Sequence, residues 1–466
     1  MSDLAKRMEK LVHSVPHWVE MRYHQRRSQS LVVQKGLVKG VRSNTTSGVG
    51  IRVLVDGAWG FSAVSETDNH SLEKALKQAI GCASAISALK TAGVKTLPPV
   101  ALARGEFTMA GYDELDRMPL AQKLEMAIGA EAKTRSRSAT IQSANCGYSE
   151  MFEDKIIATS DGALATSRLA RNEFRLSAIA AANGEMAEGH HNLGRTGPWN
   201  CLFTENSIES LTEDAARLAV DLLKAPHIPG GLSTLILSPA MVGLLSHEAI
   251  GHTVEADFVL SGSVANGKTG QRVASDLVTL TDSGLVQGSD FAGGALQVDD
   301  EGVATQRTVI IKDGFLNSYL HNRESAALFN VAPTGNARAW LYSDEPLIRM
   351  RNTYIEPGNQ TLDEIIASTP DGYLVDGALG GQADATGEFM FGAQKVTRIE
   401  NGKLGKIFRG ATISGQAFQV LSTVDAVSKE FKLDLGSGYC GKGQPAKVDA
   451  GGPYIRCKAT IGGTQQ

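Results

Sequence analysis

The spacing of apolar and polar positions changes several times along the 466-residue chain, and each change predicts an element. Leu4, Met8, Leu11 and Val12 recur at helical spacing with charges between them, which predicts an amphipathic surface helix. After Pro16 the period drops to two. Val19, Met21 and Tyr23 alternate with Glu20, Arg22 and His24, the pattern of a half-buried strand. Leu31 to Val41 stays extended around Gly36 and Gly40. Ile51 to Val55 then runs into Asp56-Gly57, a favoured hairpin turn, and Trp59 to Ala63 returns. Ser71 to Leu89 is helical, with Leu72, Ala75, Leu76, Ala79, Ile80 and Ala83 on one stripe.

Thr91 to Phe107, with Pro98 and Pro99, reads as a linker. Helices are predicted over 120–132, entered by Pro119, and over 208–223. Strands are expected around 139–148, 155–159 and 172–181, with a turn at Asp161-Gly162. The run from Pro226 to Gly231 breaks every pattern and marks the main boundary. Beyond it, Leu232 to Leu237 is a strand. Ser238 then serves as N-cap and Pro239 as first residue of a helix through Met241, Leu244 and Leu245. From about 260 onward, short extended runs alternate with Asp-Gly, Ser-Gly, Asn-Gly and Pro-Gly turns. The fold class is therefore α+β: a mixed α/β N-terminal region, divided as 1–95 and 108–225, and a β-rich C-terminal domain over 226–466.

Composition changes this picture in three ways. Lys plus Arg total 46 against 50 Asp plus Glu, which argues against a nucleic-acid binder; the nearest basic run, Arg22 to Arg27, is interrupted and reads as a solvated strand face. No stretch nears the ~20 apolar residues that span a bilayer, and the N-terminus lacks the pattern of a signal peptide, so no membrane role is expected. The five cysteines, 82, 146, 201, 440 and 457, are scattered and form no CxxC, which fits a reducing cytoplasm better than a disulfide framework. Cys82, in the helical stripe region, and Cys457, alternating with Arg456 and Lys458 on a strand, read as structural; Cys146 and Cys201 carry no assigned role.

The stretch that carries chemistry is Ser246-His247-Glu248-Ala249-Ile250-Gly251-His252-Thr253-Val254-Glu255-Ala256-Asp257. It is similar to the HExxH zinc-peptidase helix with one extra residue between the histidines. On a regular α-helix, residues five apart diverge by about 140°, so two such imidazoles cannot share a metal. A π-bulge, or unwinding at Gly251, restores convergence, and glycine there suggests a need for backbone freedom. The alternative is a pair of ordinary helix histidines. Catalytic zinc takes three protein ligands and leaves one position open. Cys440, in the glycine-rich frame from Gly436 to Gln444, is a candidate third ligand, with Lys442 nearby to favour its thiolate; an unligated buried cysteine is the competing reading. Glu255 is the rival third ligand. Glu248, directly after the first histidine, is the natural general base. Glu255 and Asp257 are candidate acceptors that fix the imidazole tautomers. Asp299-Asp300-Glu301 is read as a solvated turn in preference to a cation site.

Taken together, this helix, Gly270-Gln-Arg-Val-Ala-Ser275, Asp299-Asp-Glu-Gly302, Thr334-Gly-Asn-Ala-Arg338, Arg349-Met-Arg-Asn352 and Gly438-Tyr-Cys-Gly-Lys-Gly-Gln444 resemble the TldD/PmbA family, in its TldD-like, metal-bearing branch. The resemblance covers nearly the whole chain in order. It implies a zinc metallopeptidase acting on unfolded peptides or small proteins, in a family also named as modulators of DNA gyrase. It implies Zn2+ on His247, His252 and Cys440, Glu248 as the catalytic glutamate, and a β-rich C-terminal metallopeptidase domain. It further implies a dimer, with itself or with a PmbA/TldE-like paralogous subunit, and substrate drawn in as an added strand. Tyr439 departs from the smaller residue expected before the cysteine. The alternative function is a non-catalytic binding partner or regulatory subunit of the same family.

Overall fold

In the computed structural model, which describes residues 2–89 and 93–463, the N-terminal half is built on one seven-stranded sheet. Its strands are β1 (Trp18–Gln34), β2 (Leu37–Val55), β3 (Ala58–Val64), β4 (Arg104–Thr108), β5 (Ile141–Thr159), β6 (Leu164–Ala182) and β7 (Glu185–Thr196). The path runs β3-β2-β1-β5-β6-β4, with β7 also on β6. Strands from both sides of the 93–103 connection thus share one sheet, since β1 pairs with β5 over nearly its whole length. The linker's first two positions, Thr91 and Ala92, lie outside the described residues.

The hairpin at Asp56-Gly57 forms as its sequence demands, with both residues at positive φ. A second hairpin, at Lys35-Gly36, also has two positive-φ residues and cuts the expected extended run 31–41 in two. Helices α1 (Ser2–Val12) and α2 (Asn69–Ser87) bury Met8, Val12, Leu72 and Ala79 against Val19, Met21, Val49 and Ile51 on one face of the sheet. After a short α3 (Tyr112–Arg117), α4 (Leu120–Ser136) and α5 (Ile208–Lys224) cover the same face further along, over Leu31, Val33, Phe174 and Leu176. Cys82 lies on the exposed side of α2, not in its apolar stripe, because one residue's rotation separates it from Ala83. Cys146 and Cys201 are buried, and Cys457 is a core residue as its alternation predicts.

The opposite face of the sheet is where the sequence misleads. Glu20, Arg22, His24 and Arg26 are all buried, so β1 is covered on both sides and, of the basic residues in its run, Arg27 alone stays partly exposed. The C-terminal half packs on this polar face, and matched charges make the contact. Arg52 bridges Glu20 (2.7 Å) and Glu301 (2.6 Å), and Lys155 binds Asp300 (2.7 Å). Arg22 donates to the carbonyl oxygens of Leu341 and Asp344, and the Arg26 guanidinium lies 3.4 Å over the Trp340 ring. Asp299 accepts the backbone N–H groups of Glu301, Val303 and Ala337. The 299–301 run is therefore a buried joint between the halves, and its cations are side chains of the N-terminal sheet. An exposed turn cannot be told from such a joint in one sequence, because the partners lie more than a hundred residues away.

The C-terminal half holds an eleven-stranded mixed sheet. Part of it closes on itself: β8 (Gly231–Leu237) pairs with Asp371–Ala383, then Glu388–Glu400, Ala411–Gln416 and Asp449–Gly463 follow, and the last returns to β8. Against this closed ring packs α6 (Pro239–Leu244), every residue of which is buried. With helices beside mixed sheets, the class is α+β. Among the described residues no helix is long and apolar enough to cross a membrane.

Glu153 is the most heavily shared acid of the joint, bound by Arg26 (3.0 Å) and by Arg171. Burial pushes its carboxyl up, but Arg171 and Arg26 outweigh burial and hold it well below the usual carboxylate range. Glu153→Gln leaves two buried guanidiniums without their anion and is expected to destabilise the protein by about 3 kcal/mol in denaturant titration at neutral pH. The contribution of Glu153 is complete above the unfolded glutamate pKa of about 4.3 and drains away as pH falls toward its lower folded value. The stability gap between wild type and variant should therefore narrow on acidification, and a gap that widens contradicts the assignment.

Candidate metal centre

The helix that carries the histidines starts as its sequence prescribes, with Ser238 as N-cap and Pro239 in the first turn, although the Ser238 side chain makes no capping bond. After Leu244 the backbone passes directly into a π turn, Leu245–Gly251, in which the His252 N–H donates to the His247 carbonyl. That i→i+5 bonding adds one residue per turn and brings positions five apart back to one side. The two rings consequently meet, with centroids 5.2 Å apart and planes at 82°. Gly251 has ordinary right-handed helical angles, so backbone freedom is not what it supplies. A Cβ there would overlap the Met350 sulfur, and close packing is the reason for glycine.

Cys440 arrives from the other end of the domain, on a hairpin of Tyr439–Lys442 and Gln444–Lys447 turned at Gly443. Arg349 holds this hairpin by donating to the carbonyl oxygens of Cys440 and Gln444, each at 2.6 Å. The Cys440 sulfur lies 3.1 Å from His252 Nε2. Donor atoms of His247, His252 and Cys440 all fall within 4.8 Å of one another. Both ring nitrogens of His247 are buried and lack a hydrogen-bond partner. Glu248 is half-buried, with a carboxylate oxygen 3.8 Å from His252 Nε2.

Glu255 is not beside the sulfur. Its fully buried carboxylate sits 3.0 Å from His252 Nδ1, which turns Nε2 toward Cys440. Asp257 does not reach either imidazole and instead binds Lys442 at 2.7 Å. Lys442 also binds Glu255 at 3.0 Å, so it steadies the acid behind His252 and is not what stabilises the thiolate. Burial pushes the Cys440 thiol up, but the charge of His247 and the contact with His252 overcome it and hold it at about 4. Burial opposes a charged His252, yet Cys440 and Glu255 push it up to about 10. The lowered thiol and the raised imidazole are two sides of one close contact, each favouring the charged form of the other.

The group opens onto a cleft of about 970 Å³. His247, Glu248 and Tyr439 line it from the C-terminal half, with His190 and His191 of β7 and residues of α5 opposite. Sequence reading missed Arg349 and Met350 as parts of the centre, since an Arg-Met-Arg run carries no metal signature. It also missed the His190-His191 pair, whose only signal is two adjacent imidazoles on a strand.

Three family models match in order. PmbA/TldA metallopeptidase domain 1 matches residues 19–83, the central domain 113–223 and the C-terminal domain 230–463. A metalloprotease of Methanocaldococcus jannaschii is 32% identical over 98% of this chain and 99% of its own. A zinc metalloprotease TldD homologue of Saccharolobus solfataricus is 34% identical over 55% of this chain and 57% of its own. The solved structure of TldE from Thermococcus kodakarensis shares the fold, with a TM-score of 0.77 at 19% identity, covering 99% of this chain and 100% of that one.

Gly251→Ala is expected to cost about 1–3 kcal/mol in denaturant unfolding, because the added methyl forces Met350 and the π turn apart. The double variant Gly251→Ala, Met350→Ala should regain part of that loss. Equal stability of wild type and Gly251→Ala would show that the turn does not depend on this contact.

Proposed function

This chain belongs to the PmbA/TldD metallopeptidase family, and on that premise we propose that it is a zinc-dependent peptidase cutting unfolded peptides, with His247, His252 and Cys440 holding the metal and Glu248 as general base. The observation that carries the reading is the convergence of three soft-to-borderline donors, two of them 188 positions apart, in one buried spot. A zinc ion bound by two imidazoles and a thiolate separates its donors by about 3.4–3.6 Å, and the observed spread accommodates that. The partnerless nitrogens of His247 support it further, because a buried imidazole with neither nitrogen bonded is costly unless something is held there. The sulfur and nitrogen donor set favours zinc over harder cations, and the name of the Saccharolobus relative points the same way.

When bound, zinc supplies Lewis acidity to the scissile carbonyl and to the attacking water. Glu248 takes the proton of that water and delivers it to the leaving amine. Glu255 keeps His252 in the tautomer that offers Nε2; against the burial that would raise it, His252 and then Lys442 hold its carboxyl below the usual range, and Lys442 keeps it in place. Arg349 fixes the backbone that presents Cys440. The cleft, about 970 Å³ with His190, His191 and Asn192 of β7 on one wall, has room for several residues of a peptide. Three protein ligands with an acid beside them match a catalytic centre, whereas a structural zinc normally takes four. A subunit of the same fold, either TldE-like or a second copy, is the proposed partner, supported by the shared fold of the Thermococcus protein. Five free cysteines support a reducing, cytoplasmic setting.

Metal analysis of purified protein with peptide cleavage tests this reading. Wild type and Glu248→Gln should bind zinc equally, with cleavage by wild type alone and at least about 10²-fold slower turnover in the variant. His247→Ala and Cys440→Ala should lose the metal as well as the activity. Zinc retained in full by both of these would sink the ligand assignment.

A further inference from the structure

Beside the cleft lies a second cavity of about 350 Å³, bounded by the inner face of β1, β2, β5 and β6 and by Trp340. Tyr439 lines both spaces, so the second cavity begins one residue from Cys440. Arg26, Arg42 and Arg171 face into it. Arg26 and Arg171 are 7% and 2% exposed, respectively, and both engage the same carboxylate, Glu153. One acid therefore serves two guanidiniums. Nε and Nη1 of Arg26 and Nε of Arg171 are left buried with no hydrogen-bond partner. The other acids on the lining are committed: Glu173 to Lys447 and Arg175, Glu150 to Lys123 and the Tyr148 hydroxyl. Unused buried donors on a fixed, charged fork are costly, and a carboxylate is the group whose geometry answers them.

We propose that this cavity is a subsite that binds a carboxylate of the peptide substrate and so selects which peptides reach the metal centre. The inference rests on the peptidase reading of the neighbouring cleft and adds a specificity to it. Stacking of Arg26 on Trp340 holds the guanidinium plane, and its Nε and Nη1 remain without a partner. Arg42 stands at the exposed mouth, where its charge draws an anion inward. The excess of cations continues behind the cavity, where burial and the adjoining Arg171 and Arg349 push Arg338 down to about 9.

Binding, measured apart from turnover, provides the test. The Glu248→Gln chain of 466 residues, loaded with zinc, is titrated with four N-acetyl hexapeptides that share one sequence apart from the changes named. One ends in a free carboxylate, one in a carboxamide, and two are carboxamides with an internal Asp or Asn. Affinity is read by calorimetry and by the fluorescence of Trp340, with Trp340→Phe locating the signal. A peptide bearing the recognised carboxylate should bind about tenfold more tightly than its uncharged twin, with the advantage shrinking in salt. Preference for the free terminus assigns a chain end, and preference for Asp assigns an acidic side chain; either supports the subsite. Arg42→Gln, on an exposed strand where folding is not at risk, should cut the advantage at least about threefold. Equal affinities across each pair, absence of binding by all four, or an advantage untouched by Arg42→Gln overturns the proposal. Zinc content and cleavage by wild type are read separately, so the peptidase reading stands or falls on its own.

Discussion

The centre of this molecule depends on one backbone decision: a single turn of i→i+5 bonding between His247 and His252. A regular α-helix through the same residues would point the two imidazoles apart, whatever the rest of the fold did. A π turn is less favourable than an α turn, and it persists only where its surroundings leave no better choice. Here the surroundings are tight. Every residue of α6 before it is buried against the closed strand ring, and Met350 presses on Gly251 after it. The Cys440 sulfur and the buried Glu255 then hold His252 from two sides, so the polar contacts reinforce a geometry that packing has already imposed.

The centre and the internal frame of the C-terminal half are held by one continuous segment. Arg349 and Met350, which position Cys440 and Gly251, adjoin Arg351 and Asn352, which bind Asp282 and the backbone of Ser283. Asn336 joins both sets, donating to Asp282 and to the Arg349 carbonyl. The N-terminal sheet meets this scaffold through ion pairs that are individually of little net worth but expensive to break singly. The joint therefore specifies how the halves sit more than it adds to stability, and the cleft between β7 and the π turn takes its shape from that seating.

Much of this is legible in the chain. Periodicity places the helices at 2–12, 69–87 and 208–224 to within about two residues, and the turn chemistry of Asp56-Gly57 and Asp161-Gly162 is sufficient for both hairpins. The extra residue between His247 and His252 announces a distorted helix, because the alternative is geometrically useless for a shared ion. What fails are judgements about environment. Arg22 to Arg27 and Asp299 to Glu301 look like solvated charge when read alone, and only the packing of the halves puts Arg22 on the carbonyls of Leu341 and Asp344, and Asp300 and Glu301 on Lys155 and Arg52. Lys442 stands two residues from Cys440 but, on a β-hairpin, its side chain runs past the sulfur to Glu255 and Asp257. Gly251 suggests backbone freedom when the neighbouring Met350 is the cause. Each miss concerns a contact between segments far apart in the chain, where local pattern has no information.

The strand Asp449–Gly463 has a further consequence, because it lies against β8, Ala411–Gln416, Ala426–Leu433 and Asn352–Ile355 at once. During synthesis the histidines leave the ribosome 188 residues ahead of the cysteine, and this closing strand follows later still. At ordinary elongation rates of about 5–20 residues per second, the interval is roughly ten to forty seconds. Throughout it the nascent chain carries both imidazoles and the acid but has neither the third donor nor the ring that braces them. The centre is therefore incomplete for much of its own synthesis, and its assembly waits on Cys440 and on the strand that closes the ring.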